Sequence, residues 1–226
     1  MSDLPRETTY LKTRVYRVTK SYVCLFGFVL AWLNLNGGHF SFALSAIRVP
    51  EWITSGASLL ISTAVALVDA LPGDRLKATL VFWRWQNPLP GSRAFDKSSL
   101  ERDQRISIQS LRGHLGGKFP RGAQDQNSTW YRLYKMVQSE PAVTGVHYEY
   151  LLFRDLTWFS LILALAAFIC MPVNWARWHE LLAYALVATA AFMLLARAAA
   201  ERGNRLVRTV LAVIASRPIS TTTNET

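Results

Sequence analysis

Four apolar stretches, divided two and two by a long basic segment, constrain this chain more than any other feature. They cover residues 16–36, 52–71, 150–171 and 178–196. Each is close to the ~20 residues that a helix needs to cross a bilayer. A soluble amphipathic protein spreads its apolar residues with a helical or strand period, whereas here they are gathered into blocks. The sequence therefore predicts an integral membrane protein with four transmembrane helices.

The positions of the basic residues predict the orientation of these helices. Of the 25 lysines and arginines, five lie within the first 20 residues, thirteen between Arg75 and Arg154, and five from Arg197 onward. The two loops predicted on the opposite side carry one each, Arg48 and Arg177. Because Lys and Arg concentrate in cytoplasmic loops, both termini and the central segment are predicted to be cytoplasmic. The predicted topology then accounts for most of the formal net charge of +10, and direct nucleic-acid binding is not expected.

The predicted fold class is an all-α polytopic membrane protein of the cell inner membrane, with a small helical cytoplasmic insert between the second and third transmembrane helices. A length of 226 residues leaves room for such an insert but not for two large domains. The predicted boundaries are a cytoplasmic tail at 1–15, transmembrane helices at 16–36, 52–71, 150–171 and 178–196, the insert at 72–149, and a C-terminal helix with a disordered tail at 197–226.

Helical patterns continue through the insert. An apolar face over residues 76–83 indicates a helix at the membrane surface or one that continues below the second span. Ser98 or Ser99 is the expected N-cap of a second helix, and Asn127 is the expected N-cap of a third. From Pro141 a helix without breaker residues is predicted to run into the third span and so to project from the membrane.

The segment 112–121 is the candidate for binding a ligand or an anion. Its Arg112, His114, Lys118 and Arg121 surround three glycines. Cationic side chains together with exposed backbone N–H groups can hold a phosphate. The segment lacks the spacing of a P-loop. The alternative is a helix stop followed by a solvated basic loop near anionic lipid.

An aromatic and aliphatic stripe follows at helical spacing. Trp130, Leu133, Tyr134 and Val137 are the candidates for contact with a partner protein. Aromatic residues that alternate with cations can also stack nucleobases. At this spacing such a stripe is typical of a helix face that packs into a core.

A few polar residues lie at the ends of the predicted spans. Asp69, Arg154 and Asp155 are predicted near the inner ends of the second and third spans, and Asn34 and Asn36 at the outer end of the first. Because ionisable groups in lipid are costly, they usually face protein or water. These five residues are therefore candidates for interhelical contacts, above all an Asp69–Arg154 pair, or for lining a pore.

The sequence shows no motif for catalysis, metal binding or a cofactor. The four histidines have no metal-ligand spacing, and no nucleophile motif, phosphate loop or paired carboxylates occur. Cys24 and Cys170 are predicted at different depths, so a disulfide within one chain is not expected. A non-enzymatic protein without cofactor or metal is therefore expected.

Three functional hypotheses follow from this organisation. A unit of four helices has little room for its own aqueous pathway, so a transport role predicts a homo-oligomer, most simply a cyclic one. The leading hypothesis is an oligomeric inner-membrane protein whose insert senses a small anionic ligand or a cytoplasmic protein and regulates a pore or membrane permeabilisation. A bacterial anti-phage effector of this kind is an analogy from architecture. The alternatives are a membrane anchor that recruits a cytoplasmic enzyme or a nucleic-acid-binding complex, and an enzyme acting on lipid or on a phosphorylated substrate through the segment 112–121.

Overall fold

The computed structural model describes residues 4–35, 67–173 and 175–218. Within these ranges the chain consists of helices and connecting turns, and no β-strand occurs there. The predicted helical class is therefore confirmed for this part of the chain. Most of the second predicted span, Asn36 and the tail from residue 219 onward lie outside the described residues.

Three helices, α1, α6 and α7, are far longer than the others. A helical turn at residues 67–70 precedes the central helices, and short 3₁₀ turns occur at Pro90–Arg93 and Trp175–Arg177. The α-helices are α1 (Leu4–Leu35), α2 (Asp74–Phe82), α3 (Lys97–Leu100), α4 (Ile108–His114), α5 (Ala123–Val137), α6 (Pro141–Cys170) and α7 (Trp178–Ala215).

Helices α6 and α7 form a long antiparallel pair joined by a tight turn. At ~1.5 Å per residue, α6 is about 45 Å long and α7 about 57 Å. Pro141 begins α6 at a position where the missing N–H has no helical partner to lose. By length and composition, α6 and the segment Trp175–Ala215 are the two described helical segments apolar enough to cross a membrane.

One half of the α6–α7 pair is packed through small residues, and α1 lies against it. Ala164 and Ala167 of α6 are buried against Ala185 and Ala188 of α7. Small side chains let two helices approach closely, which favours van der Waals contact between them. Two tyrosine hydrogen bonds hold α1 against this half. The Tyr22 hydroxyl of α1 lies 2.7 Å from Ser160 Oγ of α6, and the Tyr184 hydroxyl of α7 donates to the Phe26 carbonyl oxygen of α1 at 2.9 Å. We call this half the alanine end.

The alanine end exposes large apolar side chains to its surroundings. They include Leu25 and Phe28 of α1, Ile169 of α6, and Leu186 and Leu194 of α7, which are between 58% and 73% exposed. Water would penalise so much exposed apolar surface at ~25 cal/mol per Å². This surface therefore has the character of a contact with lipid or with other helices.

The opposite half of the pair is enclosed by the short helices. Val143 and Tyr150 of α6 and Leu206 and Val210 of α7 are buried there. They share one core with residues contributed by α4 and α5, namely Leu111, Trp130, Leu133 and Val137. We call this half the helical module. It is built around the same two helices that form the alanine end.

A glycine fixes the closest approach within the module. A Cβ atom on Gly203 of α7 would lie 2.8 Å from Phe82 Cζ and 3.0 Å from Tyr150 Cε2. Real Cβ atoms do not tolerate such contacts, so the absent side chain lets α2, α6 and α7 meet. The arrangement makes the end of α2 part of the module core.

The observed helices differ from the predicted ones at their starts. Ser107, whose side chain accepts from the Ser110 N–H at 3.3 Å, caps α4. The predicted caps Ser98 and Ser99 belong to the separate short helix α3. Helix α5 begins at Ala123, four residues before the predicted cap Asn127. Helix α7 passes the predicted boundary at residue 196 without a break, so the fourth apolar stretch and the C-terminal helix are one helix.

Candidate functional site

A cluster of charged side chains lies where the helical module meets the alanine end. Its centre is Lys77 of α2, which is 4% exposed. The Lys77 ammonium donates to Asp69 Oδ1, and also to Asp155 Oδ1 at 3.2 Å. A buried lysine needs such partners, because an isolated charge removed from water is strongly destabilising.

Arg154 completes the cluster from α6. Its Nε donates to Asp155 Oδ1 at 3.1 Å, and its Nη1 donates to Asp74 Oδ1 at 2.9 Å. Asp74 is the first residue of α2, where a carboxylate also favours the helix dipole. Three carboxylates and two cations thus join α6, α2 and the turn at residues 67–70. We call Asp69, Asp74, Lys77, Arg154 and Asp155 the ionic cluster.

The expected Asp69–Arg154 pair is replaced by a different arrangement. Asp69 bonds Lys77, and Arg154 bonds Asp155 and Asp74. Both predicted residues therefore belong to one cluster, but Lys77 and Asp155 lie between them. Lys77 is not among the predicted site residues. The local sequence gives one signal for its role, because Asp69 and Lys77 lie on either side of the Leu71–Pro72–Gly73 turn.

A hydrogen bond extends this junction toward the alanine end. The Trp158 indole N–H donates to the Val68 carbonyl oxygen at 3.0 Å. The helical turn at residues 67–70 is thus held to α6 by Trp158, and to α2 by the pair of Asp69 with Lys77. The ionic cluster consists of mutually paired charges, so it can couple the positions of these segments. It presents no nucleophile with an adjacent base.

The predicted anion-binding residues are divided by the structure. Arg112, Lys118 and Arg121 line one open groove of about 890 Å³. His114 does not line it, because its Nε2 lies 3.1 Å from the Arg217 carbonyl oxygen near the end of α7. The Arg112 guanidinium lies over the Phe119 ring at 5.4 Å. The groove therefore gathers three of the four predicted cations.

Two glycines shape the turn that leads into this groove. Gly116 has φ +69° and Gly117 has φ +92°, a region of backbone conformation that other residues rarely adopt. The Gly117 N–H bonds the Arg112 carbonyl oxygen at 2.9 Å and closes the end of α4. The glycines thus end the helix and turn Lys118 toward the groove that Arg112 also lines.

The predicted partner-contact stripe faces inward. Trp130, Leu133 and Val137 are between 0% and 7% exposed and belong to the module core. Tyr134 is half-buried, and its hydroxyl lies 3.0 Å from His147 Nδ1. Burial, followed by the nearby Tyr131, raises the pKa of the Tyr134 phenol. These four residues hold α5 to α6 and α7, as a core-facing stripe does.

The remaining predicted site residues lie outside this geometry. Asn36 lies outside the described residues, and Asn34 is in the last turn of α1. No group of three His, Cys, Asp or Glu side chains suited to holding a metal ion occurs in the described ranges.

Comparison of the chain with protein-family models, with curated proteins and with solved structures finds no match.

Proposed function

We propose that this protein is an oligomeric integral membrane protein whose cytoplasmic helical module controls the state of its membrane helices, and with it a pore or the permeability of the membrane. The observation that carries the proposal is the continuity of α6 and α7. Each runs without a break from the module core into the alanine end. A change in the module therefore has a mechanical path to the other half of both helices.

The dimensions of the alanine end support its placement in a bilayer. From Trp178 to Arg197, α7 rises about 28 Å, close to the ~30 Å hydrocarbon core. Trp175 and Trp178 lie at one boundary, where tryptophan favours the headgroup region. Arg197 and the ionic cluster lie toward the other boundary. The exposed leucines and phenylalanine between these limits would face lipid.

Helix α1 supports the same orientation. The Arg14 guanidinium lies over the Tyr148 ring at 5.3 Å, at the module side of α6, whereas Phe26 bonds Tyr184 within the alanine end. The beginning of α1 and the end of α7 therefore lie on the side of the module. Together with the positive-inside rule, this arrangement supports a cytoplasmic side for both termini and the module. Four spans would follow if residues 52–66 complete a second crossing.

An oligomer is favoured because the described parts of α1, α6 and α7 pack together without an aqueous pathway between them. Alanines fill the α6–α7 contact, and Tyr22 closes the contact between α1 and α6. An aqueous pathway through this arrangement would have to form between subunits, most simply in a cyclic assembly. Exposed apolar faces of α1, α6 and α7 are available for such contacts.

The test is electrical. The full chain would be reconstituted in planar bilayers of neutral lipid, and single-channel current recorded with and without candidate anions on the module side. We expect the purified protein to be oligomeric and to give discrete conductance steps. The frequency of these steps should change when an anion is added on the module side. The Lys77→Met variant, which breaks the ionic cluster, should conduct with altered dependence on the ligand. A strictly monomeric particle without conductance would refute the proposal.

A second candidate function is a membrane-anchored scaffold, and the outer face of α5 is the observation that favours it. Tyr131 and Met136 are 50% and 65% exposed on that face. Lys135 lies over the Tyr131 ring at 5.5 Å. A soluble partner that copurifies in fixed stoichiometry, and is lost on Met136→Asp but retained on Lys97→Asp, would favour the scaffold over the regulated pore.

A further inference from the structure

A second pocket in the helical module gathers four arginines from distant parts of the chain. It has a volume of about 200 Å³ and lies between the end of α2, the Pro90–Arg93 turn, α3 and α7. Arg84, Arg93, Arg102 and Arg208 line it. Asp96 is the acidic residue among its lining side chains. We call this the arginine pocket.

The four arginines lack ion pairs of the kind that five other arginines in the described ranges make. Salt bridges there join Arg105 to Asp103, Arg202 to Glu149 and Arg217 to Glu140. None of the four pocket arginines forms a salt bridge with a carboxylate in the described part of the chain. The pocket therefore carries a local excess of positive charge, which the attraction of Arg84 to Asp96 and of Arg208 to Asp103 offsets only in part.

Partial burial of Arg84 and Arg208 makes this excess more costly, whereas Arg93 and Arg102 are exposed. Arg208 is half-buried, and its Nε is buried without a hydrogen-bond partner. Burial first, and the charge of Arg93 second, lower the pKa of Arg84. A buried donor without an acceptor and a like-charged neighbour each destabilise the folded chain. Both costs disappear when an anion enters the pocket.

The shape of the pocket limits what that anion can be. A volume of about 200 Å³ is below the ~300–1,000 Å³ of usual small-molecule sites, so it suits one charged group of a larger ligand. Guanidinium groups match the geometry of phosphate oxygens with paired N–H donors. Ser98 and Asn204 add neutral donors at the rim.

The arginine pocket adjoins the groove described above. Asp96 lines both, so they adjoin at this residue. The groove adds Arg112, Lys118 and Arg121. A ligand with one phosphate in the pocket could place further phosphates beside the cations of the groove, with the Asp96 carboxylate between the two sets of cations.

We propose that the arginine pocket binds one phosphate group of a water-soluble oligophosphate ligand, with Arg84, Arg93 and Arg208 as its main contacts. Further phosphates of the ligand lie along the groove. The distance of the site from the proposed bilayer favours a soluble ligand over a lipid headgroup. Arg208 lies about 16 Å along α7 from Arg197, where the lipid-facing part of the helix ends. The proposal rests on the function proposed above, because it names the class of ligand that the module would sense.

The test is calorimetric binding of inorganic tripolyphosphate to the full chain in nanodiscs of neutral lipid. We expect saturable binding in the wild type. Loss of one charged hydrogen-bonding partner should raise the dissociation constant about tenfold or more in Arg208→Gln and in Arg84→Gln. Arg132→Gln removes the same charge from the exposed face of α5, outside both cavities, and should leave the constant unchanged.

Melting temperatures measured in parallel separate binding from folding. Without phosphate, Arg208→Gln should melt at or above the wild-type temperature, since a repelling and unpartnered cation has been removed. With tripolyphosphate at about 100 times its dissociation constant, the wild type should melt several degrees higher, and Arg208→Gln should not.

Three outcomes would overturn the proposal. One is the absence of saturable binding, and another is an equal loss of binding in Arg132→Gln, which would indicate general attraction to a basic surface. The third is binding that requires nanodiscs containing anionic lipid and that tripolyphosphate does not displace, since the source would then be a headgroup. Saturable binding at the arginine pocket with no change in conductance would instead keep the site and refute the regulated pore.

Discussion

Replacing Lys77 by methionine is expected to destabilise the protein by about 3 kcal/mol. Methionine preserves the length of the side chain and fills the same buried space. Removing one partner of a buried ion pair costs ~3–5 kcal/mol, because a charge is left uncompensated. Asp155 keeps Arg154 at 3.1 Å, and Asp69 is 37% exposed. The loss should therefore lie at the lower end of that range.

Lys97→Met is the matched control for this substitution. Lys97 also pairs with a carboxylate, Glu101 at 3.7 Å, but it is 85% exposed. Exposed pairs contribute ~0–1 kcal/mol. The assay is thermal unfolding of the full chain in a mild detergent, followed by circular dichroism. For a chain of this size, a loss of about 3 kcal/mol lowers the melting temperature by roughly 6–12 °C, and the control should shift by a few degrees at most.

The double variant Lys77→Met/Asp69→Leu gives a second check. It also removes the carboxylate that loses its partner, and exchange of a whole buried pair for apolar residues is often neutral. Part of the lost stability should therefore return. The reasoning is refuted if Lys77→Met melts within about 2 °C of the wild type, or no lower than Lys97→Met.

Three further predictions use the same melting assay. Gly203→Ala should lower the free energy of unfolding by about 1–3 kcal/mol, since its Cβ would lie 2.8 Å from an aromatic ring carbon. Gly145→Ala, whose Cβ would meet nothing within 4 Å, should raise it by about 0.5–1 kcal/mol. Hydrogen bonding from its neighbouring arginine lowers the pKa of Asp103, so its contribution to stability is present above about pH 4 and is lost as the pH falls below that; Asp103→Asn should flatten the acid limb of the stability curve. Tyr22→Phe should cost about 1 kcal/mol and have little further effect in a Ser160→Ala background, because the 2.7 Å hydrogen bond joins these two residues.

The long helices could be predicted from the sequence because their signals are local. Pro141 marks the start of α6, and an unbroken apolar run follows it. The stripe from Trp130 to Val137 has a helical period and packs inward as such a stripe does. The start of α4 was misplaced, since Ser98, Ser99 and Ser107 are equally good caps by residue type. Which serine caps the helix depends on how Leu111 reaches the core.

The charged sites could be predicted only in part, because their members are far apart in the chain: Asp69, Arg154 and Asp155 were candidates, but their partner Lys77 was not. Lys77 and Asp155 meet only when α2 packs against α6. The arginines of the pocket range from Arg84 to Arg208, and in the sequence each counts as one more cation on the cytoplasmic side. The positive-inside rule would account for a basic module in the proposed orientation, but not for four arginines around one small cavity. Only the tertiary structure distinguishes the arginines that surround the cavity from those that simply make the module basic.

We propose that α7 passes from lipid into a water-exposed module as one unbroken helix. The most direct measurement is nitroxide accessibility in liposomes, with Cys24 and Cys170 first replaced by alanine. A label on Leu186→Cys should be accessible to oxygen and shielded from a water-soluble nickel complex. A label on Arg205→Cys should show the reverse. If the nickel complex reaches both positions equally, the alanine end is not in the membrane and the account is contradicted.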